Sequence, residues 1–572
     1  MRSVVSYTLR SDGTEFAQSY KVKSIVVVNE VNRIPRAHIF LLDGDASEQD
    51  FPISNQDFFK PGKKLEIDFG YESDLENVFK GVIVKISIKV RESSGSYLEV
   101  ICKHPVVKLT TKKKNHFFYD ATDNDAITQI LEEAGISAGI DGMKDVKHVQ
   151  LVQYESTSWD FMIARAEVNG KLVMFDNEKL KIASPSMDGS DVLKCQYGAN
   201  VLSFDAVMDS ESQFSSVESK GWSSSDQDLI SADGEQDFKN KIGNISSDEL
   251  ASVLNDEPYI LKHVGNLSVE ELTQWAKSKA TKNELAKIIG NVSIQGVSKI
   301  YPGTIVELAG FGNRFSGRAF VTGVRHEMAQ GGWTSHLQFG LPSTWFSQQQ
   351  NFNALPAGGI MPAISGLQIG IVTQLENDPD NEYRIKVRMP IISNDEEGVW
   401  ASVARIYAGD NFGICFTPEI DDEVVVGFLN DDPRKAIVLG ALHSSAKASP
   451  LAFKDTNHFK GIVSRNDLRM IWDDDKKIIT ISTPAGHHIT LDDNGKKITI
   501  EDSNQNKIEL GDQGIEIASA KDLKLSAKQN IELQGINIQC KADGKFTAEG
   551  NAGAEVKTNS IAVLKGSLVQ IN

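Results

Sequence analysis

Cysteine is scarce in this chain, with four in 572 residues. Cys102, Cys195, Cys415 and Cys540 are widely scattered. They offer neither the spacing of a metal knuckle nor a disulfide framework, which fits folding in a reducing cytoplasm. Long hydrophobic runs are also missing. Stretches such as 25–28 and 424–426 are far too short to span a bilayer. The opening residues, Met1-Arg2-Ser3-Val4-Val5-Ser6, lack the apolar segment of a secretory leader, so export by an ordinary signal peptide is not expected. Positive charge is in deficit: 60 Lys and Arg stand against 78 Asp and Glu, a formal net charge of −18. That balance argues against a nucleic acid or an anionic membrane as the main partner. No Gly-x-Ser-x-Gly elbow is present to raise a nucleophilic serine.

What the chain does have is β-structure in short units, concentrated at its end. Ile498-Thr499-Ile500, Ile508-Glu509-Leu510, Ile515-Glu516-Ile517, Leu523-Lys524-Leu525 and Ile531-Glu532-Leu533 are followed by Ile536-Asn537-Ile538, Phe546-Thr547-Ala548, Ala554-Glu555-Val556, Ile561-Ala562-Val563 and Val569-Gln570-Ile571. Each unit is a period-2 strand with one apolar face. They recur about every eight residues, the spacing of a solenoid or prism rather than of a globular core. A single ribbon of this kind cannot bury its apolar face or pair its edges. Identical chains wound about a shared axis can, so the expectation is a homo-oligomeric needle.

Upstream, length predicts roughly three or four domains. Alternating strands at 21–28, 37–42, 64–69, 78–90 and 97–102 read as a barrel or sandwich. Thr122-Asp123-Asn124-Asp125 opens a helix with Ile127, Ile130, Leu131 and Ala134 on one face and Gly135 as its stop. A second helix is expected over 159–168, capped by Ser158. A third starts at Ser268-Val269-Glu270-Glu271 and carries Leu272, Trp275 and Ala276. Residues 209–245, rich in Ser, Asp, Gln and Lys, read as a long surface loop. Two Pro and two Gly in 351–362 mark a linker. Five short strands at 370–374, 384–389, 400–405, 423–428 and 436–440 then suit a small closed barrel.

Several of these residues carry a family resemblance. The run from Tyr301-Pro302-Gly303-Thr304 to Val324-Arg325-His326 is similar to the second hub barrel of VgrG and the late-control-protein family. Residues 381–390 (NEYRIKVRMP), Trp400-Ala401-Ser402-Val403-Ala404, Pro418-Glu419-Ile420-Asp421-Asp422-Glu423, Gly427-Phe428-Leu429-Asn430-Asp431-Asp432-Pro433 and Ile437-Val438-Leu439-Gly440 resemble, in that order, the OB domain of VgrG and phage tail spikes. The resemblance implies a mainly β homotrimer. It comprises a hub at 1–350 with two β-barrels and helical insertions, a linker at 351–365 and an OB-fold collar at 366–445. A neck at 446–475 leads to a triple-stranded intertwined β-helix, or β-prism, at 476–572. It also implies a structural spike of a contractile injection system, either type VI secretion or an extracellular phage-tail-like particle. The trimer caps the inner tube, carries a PAAR-repeat tip and is driven through the target envelope on sheath contraction. Partners implied are the tube, baseplate proteins, the tip protein and effector cargo, with the target membrane contacted only mechanically. The chain is expected to be made and assembled in the cytoplasm and delivered with the particle on firing. Val569, Gln570, Ile571 and Asn572 are the expected tip-docking end. The thirty or so residues between collar and needle leave no room for a muramidase domain. The ribbon pattern runs on through Val569-Gln570-Ile571, so an enzyme is expected in neither of the two places where the family carries one.

Several motifs in the chain could carry chemistry. Asn494-Gly495, with Asp492 and Glu501 nearby, approaches a calcium loop, but position 1 is Thr490 and flanking helices are lacking; a type I′ hairpin is expected. His487 and His488 repeat three times in a trimer, and one of an adjacent strand pair can point at the axis, giving the candidate metal or anion site. Gly310, Gly312 and Gly317 miss the dinucleotide spacing. Asp421-Asp422, Asp431-Asp432 and Asp473-Asp474-Asp475 read as solvated turns. His104, His326 and His336 lack an activated nucleophile. Arg384, Lys386 and Arg388 alternate on one collar face without interleaved aromatics, unlike a single-strand nucleic-acid groove. No catalytic residue and no cofactor is expected. A hub with a hidden cell-wall hydrolase is the alternative function.

Overall fold

The computed structural model of the chain describes residues 4–17, 20–72, 74–92, 95–143, 146–176, 179–255, 257–349 and 354–571. The chain forms two compact units, one running to Ile364 with Asn430–Asp432, the other comprising Ser365–Leu429 and the residues after Asp432.

The first unit is built on one 14-stranded sheet with two cores. The join is the antiparallel pairing of strand Val22–Glu30 with strand Gly317–Ala329, where Val26 faces Glu327. Alternation explains both partners. Ile25 and Val27 turn into one core with Ile39, Leu65, Ile67, Phe69 and Val100. Val292, Val306, Leu308, Val321, Val324 and Leu337 fill a second. Phe69 meets Trp333 edge-on at 5.4 Å, so a side chain from the late part of this unit is packed into the early core.

Helix Asp123–Glu133 starts as the sequence predicts. The Asp125 amide donates to the Thr122 hydroxyl, and the Thr122 amide donates to the Asp125 carboxylate. Gly135 lies at φ 59, the left-handed conformation that ends a helix. The next helix is Ser158–Val168. Its cap is Thr157, one residue before the expected Ser158, because the Thr157 hydroxyl accepts from the Asp160 amide. Helix Val269–Ala286 is capped by Ser268 and gives way at Ile288 to a strand that reaches Gln295.

The 209–245 segment is not a loop. Strands Val217–Ser223 and Asp228–Asp233 join Tyr259–His263 in a three-stranded sheet. The side chains that turn inward along the first strand are Val217, Ser219, Gly221 and Ser223. Three of the four carry almost no apolar signal. Small size is what lets the Val269–Ala286 helix approach: the Ser219 hydroxyl donates to the Leu272 carbonyl at 2.8 Å.

In the second unit, strands Gln368–Gln374, Ile385–Arg388, Val399–Val403, Ala436–Ala441 and Glu423–Phe428 close a five-stranded barrel. Val372, Ile385, Val387, Ala401, Val424, Val426 and Val438 fill it. Gly370 is required there, since a Cβ would sit 2.4 Å from Val387 Cγ1. Among the described residues no helix is long and apolar enough to cross a membrane.

Candidate functional surface of the C-terminal sheet

Seven antiparallel strands of five residues each follow the barrel: Phe459–Val463, Arg469–Asp473, Ile478–Ser482, His488–Asp492, Lys497–Glu501, Lys507–Gly511 and Gly514–Ala518. The first two lie in the stretch expected to be a bare neck, so the sheet begins earlier than 476. Their alternation is carried by Ile462, Met470 and Trp472, which the Ile-x-Ile pattern overlooks.

Register turns the repeated triplets into continuous stripes. Ile481, Ile489, Ile500, Ile508 and Ile517 are cross-strand partners in succession. Ile479, Leu491, Ile498, Leu510 and Ile515 form a parallel ladder beside them. Thr480, Thr490, Thr499, Glu509 and Glu516 occupy the row between, on the other face. The apolar face is open: Ile489 is 38 % exposed and Ile515 70 %. The Ile481 ladder lines a groove of about 640 Å³. The expected hairpin between Leu491 and Ile498 is present, but its connection is the four residues Asp493 to Lys496, with Lys496 at φ 50. Gly495 does not supply the positive φ; its amide instead donates to Asp492 Oδ1 at 2.7 Å.

Beyond Ala518 the described residues form no strand, although the triplets continue. Leu523, Leu525, Ile531, Leu533, Ile536, Ile538, Phe546, Val556, Ile561 and Val563 are all at least half exposed. The sequence pattern expected strands there. In one chain nothing lies alongside to accept their hydrogen bonds, which is the physical reason for the difference.

His487 and His488 border the groove. The His487 ring nitrogen accepts from the Ser503 amide at 3.3 Å. His488 sits opposite Ser482 and Glu501, its Nε2 3.8 Å from the Glu501 carboxylate. Among the described residues no group of three or more His, Cys, Asp or Glu is placed to hold a metal ion. Val569 and Ile571 are exposed, and Asn572 lies outside the described residues.

The remaining candidates are scattered. His104 caps a short 3-10 turn, accepting from the Val106 amide. His326 is buried, 2.9 Å from the Ser335 hydroxyl, and burial lowers its pKa to about 4. His336 Nδ1 lies 2.7 Å from the Ser293 hydroxyl. Burial pushes the Cys195 thiol up to about 11 and raises that of Cys102 as well, so neither is poised as a nucleophile. Asp474 pairs with Lys460, and Asp473 accepts from the Lys476 amide. Arg384 is held by Asp378 and Asp380, and Lys386 pairs with Glu397 while lying 5.0 Å over the Trp400 ring.

One cluster escaped the sequence reading. Asp123 takes both Arg165 Nε at 2.5 Å and Nη2 at 2.9 Å, and also the Asn169 amide at 2.7 Å. His148 lies 3.5 Å from Asp123 and 3.2 Å from Glu271. Hydrogen bonds to those two carboxylates raise its pKa to about 9. Burial opposes the charged form of Asp123, but its cationic and amide partners outweigh it and hold the carboxyl below its usual range. The only trace in sequence is the acidic first turn of the helices that carry Asp123 and Glu271, a pattern that capping alone explains.

Three family models match the chain. One, described as the Alg8 N-terminal domain, matches residues 1–330 of 572. A second, the type VI secretion system/phage-baseplate injector OB domain, matches 368–443, and a third, the phage baseplate V C-terminal trimerisation domain, matches 478–572. A type VI secretion system spike protein, VgrG3 of Vibrio cholerae, is 32 % identical over 16 % of this chain and 10 % of its own length. The spike protein VgrG1a of Pseudomonas aeruginosa is 26 % identical over 31 % of this chain and 29 % of its own. The matches thus span less than a third of these curated relatives. A prophage MuSo2 43 kDa tail protein from Shewanella oneidensis is 11 % identical at a TM-score of 0.44, covering 59 % of this chain and 98 % of its own.

Proposed function

This chain belongs to the family described as the Alg8 N-terminal domain and is a VgrG-like hub-and-spike protein, and on that premise we propose that three copies form the structural spike of a contractile injection system. The observation that carries the reading is the open double ladder of the C-terminal sheet with the unpaired ribbon after it. Both features fall within the trimerisation-domain match. Three chains supply what one lacks: cover for ten ladder side chains per copy and edge partners for the triplets beyond Ala518. Burying an isoleucine is worth about 1.5–3 kcal/mol, so the ladders alone favour association strongly. Stacked at about 4.8 Å per layer, some ten strands per chain make a needle on the order of 50 Å long.

In this reading residues 1–350 form the hub that caps the inner tube, 351–365 the linker and 366–445 the collar. The neck and needle follow over 446–475 and 476–572. Val569, Gln570, Ile571 and Asn572 form the platform for a PAAR-type tip. Tube, baseplate and cargo proteins are the remaining partners. Assembly takes place in the cytoplasm, and the particle carries the spike into the target envelope on firing, in a type VI system or an extracellular tail-like particle. The role is mechanical rather than catalytic, which the spike proteins among the relatives support. No observation favours the hidden hydrolase, and turnover of purified peptidoglycan by the assembled protein would establish it. The deciding experiment is mass by light scattering, followed by electron microscopy of particles from the producing cells. A stable monomer would overturn the spike reading.

A further inference from the structure

Gln274, on the Val269–Ala286 helix, is more than nine-tenths buried, yet among the described residues no hydrogen bond reaches its amide. Its amide atoms are not sealed off with it: they open onto cavity space, where a donor and an acceptor stand ready for a partner. It lines two neighbouring cavities of the hub, of about 280 and 210 Å³, and Asn169 lines both as well. The Asn169 side-chain nitrogen is already committed, to the Asp123 carboxylate and the Arg165 carbonyl, which leaves its oxygen as an acceptor.

The two lobes differ in chemistry. Trp275, Leu267, Val146 and Val168 give the larger one an apolar wall. In the smaller, Lys277 is paired with Asp237 at 2.5 Å. Lys171 stands beside it, half-buried and with no ion pair among the described residues, and burial lowers its pKa. The site therefore offers an apolar recess, an amide with both a donor and an acceptor open, and a lysine that makes no ion pair among the described residues, although the Asp141 charge is felt there. A peptide group presents the complementary donor and acceptor, and a carboxylate complements Lys171.

We propose that this cleft binds a short peptide segment, seating a large apolar side chain against Trp275, its main-chain amide on Gln274 and an acidic side chain at Lys171. A nucleotide fits less well. In the wall of the apolar lobe Arg165 and His148 are already paired with Asp123 and Glu271, and in the smaller lobe Lys277 is paired with Asp237, so of the lining lysines and arginines a phosphate would find only Lys171 without an ion pair among the described residues.

The test uses the full-length assembly and three probes followed by saturation-transfer NMR: acetyl-Phe-Gly-Asp-amide, acetyl-Phe-Gly-Asn-amide and adenosine monophosphate. The aspartyl peptide is expected to bind saturably and more tightly than the asparaginyl one. Lys171→Met is expected to weaken the aspartyl peptide about tenfold, as loss of one charge-assisted contact does, and to leave the asparaginyl peptide unchanged. Gln274→Leu is expected to weaken both peptides alike, since it removes the amide that meets their main chain. Lys171 makes no ion pair among the described residues, so its variant is expected to keep the fold and to keep the test decisive if Gln274→Leu does not. Absence of saturable binding of the aspartyl peptide, equal binding by the Lys171→Met assembly, or preference for adenosine monophosphate would overturn the proposal. None of these outcomes bears on whether the chain trimerises.

Discussion

His148 Nδ1 lies 3.2 Å from Glu271 Oε1, joining a strand of the two-stranded ribbon Lys113–Thr122/Lys147–Thr157 to the first turn of the Val269–Ala286 helix. On its other side the same ring faces Asp123, with the Arg165 guanidinium 3.4 Å away. One imidazolium thus holds three hub elements through two carboxylates.

The first prediction concerns alkaline pH. His148 titrates at about 9 in the fold, against about 6.5 in an unfolded chain. Its pKa is raised, so its stabilisation is complete below pH 6.5, shrinks from there to 9 and is gone above. With solvent screening of this partly exposed site allowed for, the contribution is about 2 kcal/mol at mildly acid pH. His148→Gln is expected to lower Tm at pH 6 and to flatten the fall in Tm between pH 6.5 and 9. An unchanged slope in the variant would remove His148 as its cause.

The second has the opposite sign. Buried His326 titrates at about 4, well below its unfolded value, and so stays neutral in the fold. As pH falls from 6.5 to 4 the unfolded chain takes up a proton that the fold refuses, costing up to about 3 kcal/mol. His326→Gln keeps a hydrogen-bonding group beside Ser335 and is expected to lessen acid sensitivity across that window. Urea midpoints at pH 4.5 and 7 measure it.

The third addresses the ladders. Ile500→Asp places a carboxylate in the middle of an apolar stripe, between Ile489 and Ile508. In a three-chain needle this buries three like charges, a cost of several kcal/mol for each. The expected result is loss of the trimer by light scattering, with the melting of the hub unchanged. A trimer as stable as the parent would mean that the ladder face is not the shared core.

The fourth separates sheet from ribbon. Truncation after Lys521 leaves all seven strands that pair within one chain, since the last ends at Ala518. Hub and collar are expected to fold, and capture of a PAAR-type tip protein is expected to be lost. Tip capture by the truncated chain would place the docking surface elsewhere.

The collar and the repeating triplets were legible in the sequence because their signals are local. Alternation at period 2 names the inward side chains without knowledge of neighbours, so the five strands of the closed barrel were found close to their observed limits. The Thr122 and Ser268 caps were legible for the same reason: both partners of a capping box lie within four residues. The sheet inside 209–245 was not. Its inward positions are Ser219, Gly221 and Ser223, whose small size matters only once a helix lies across them. The turn at Asp493 to Lys496 is longer than a two-residue Asn-Gly connection because strand register, not that pair, sets its length.

What the sequence determined by itself is periodicity: where apolar side chains alternate, where helices are capped, and that the end of the chain repeats. Only the tertiary structure decided which residues meet. Asp123, His148, Arg165, Asn169 and Glu271 converge from four separate elements. Gln274 is left with its amide turned to a cavity, and the needle triplets divide at Ala518 into those that pair within the chain and those that do not. These are long-range pairings, and a hydrogen bond or a buried charge is fixed by its partner as much as by itself.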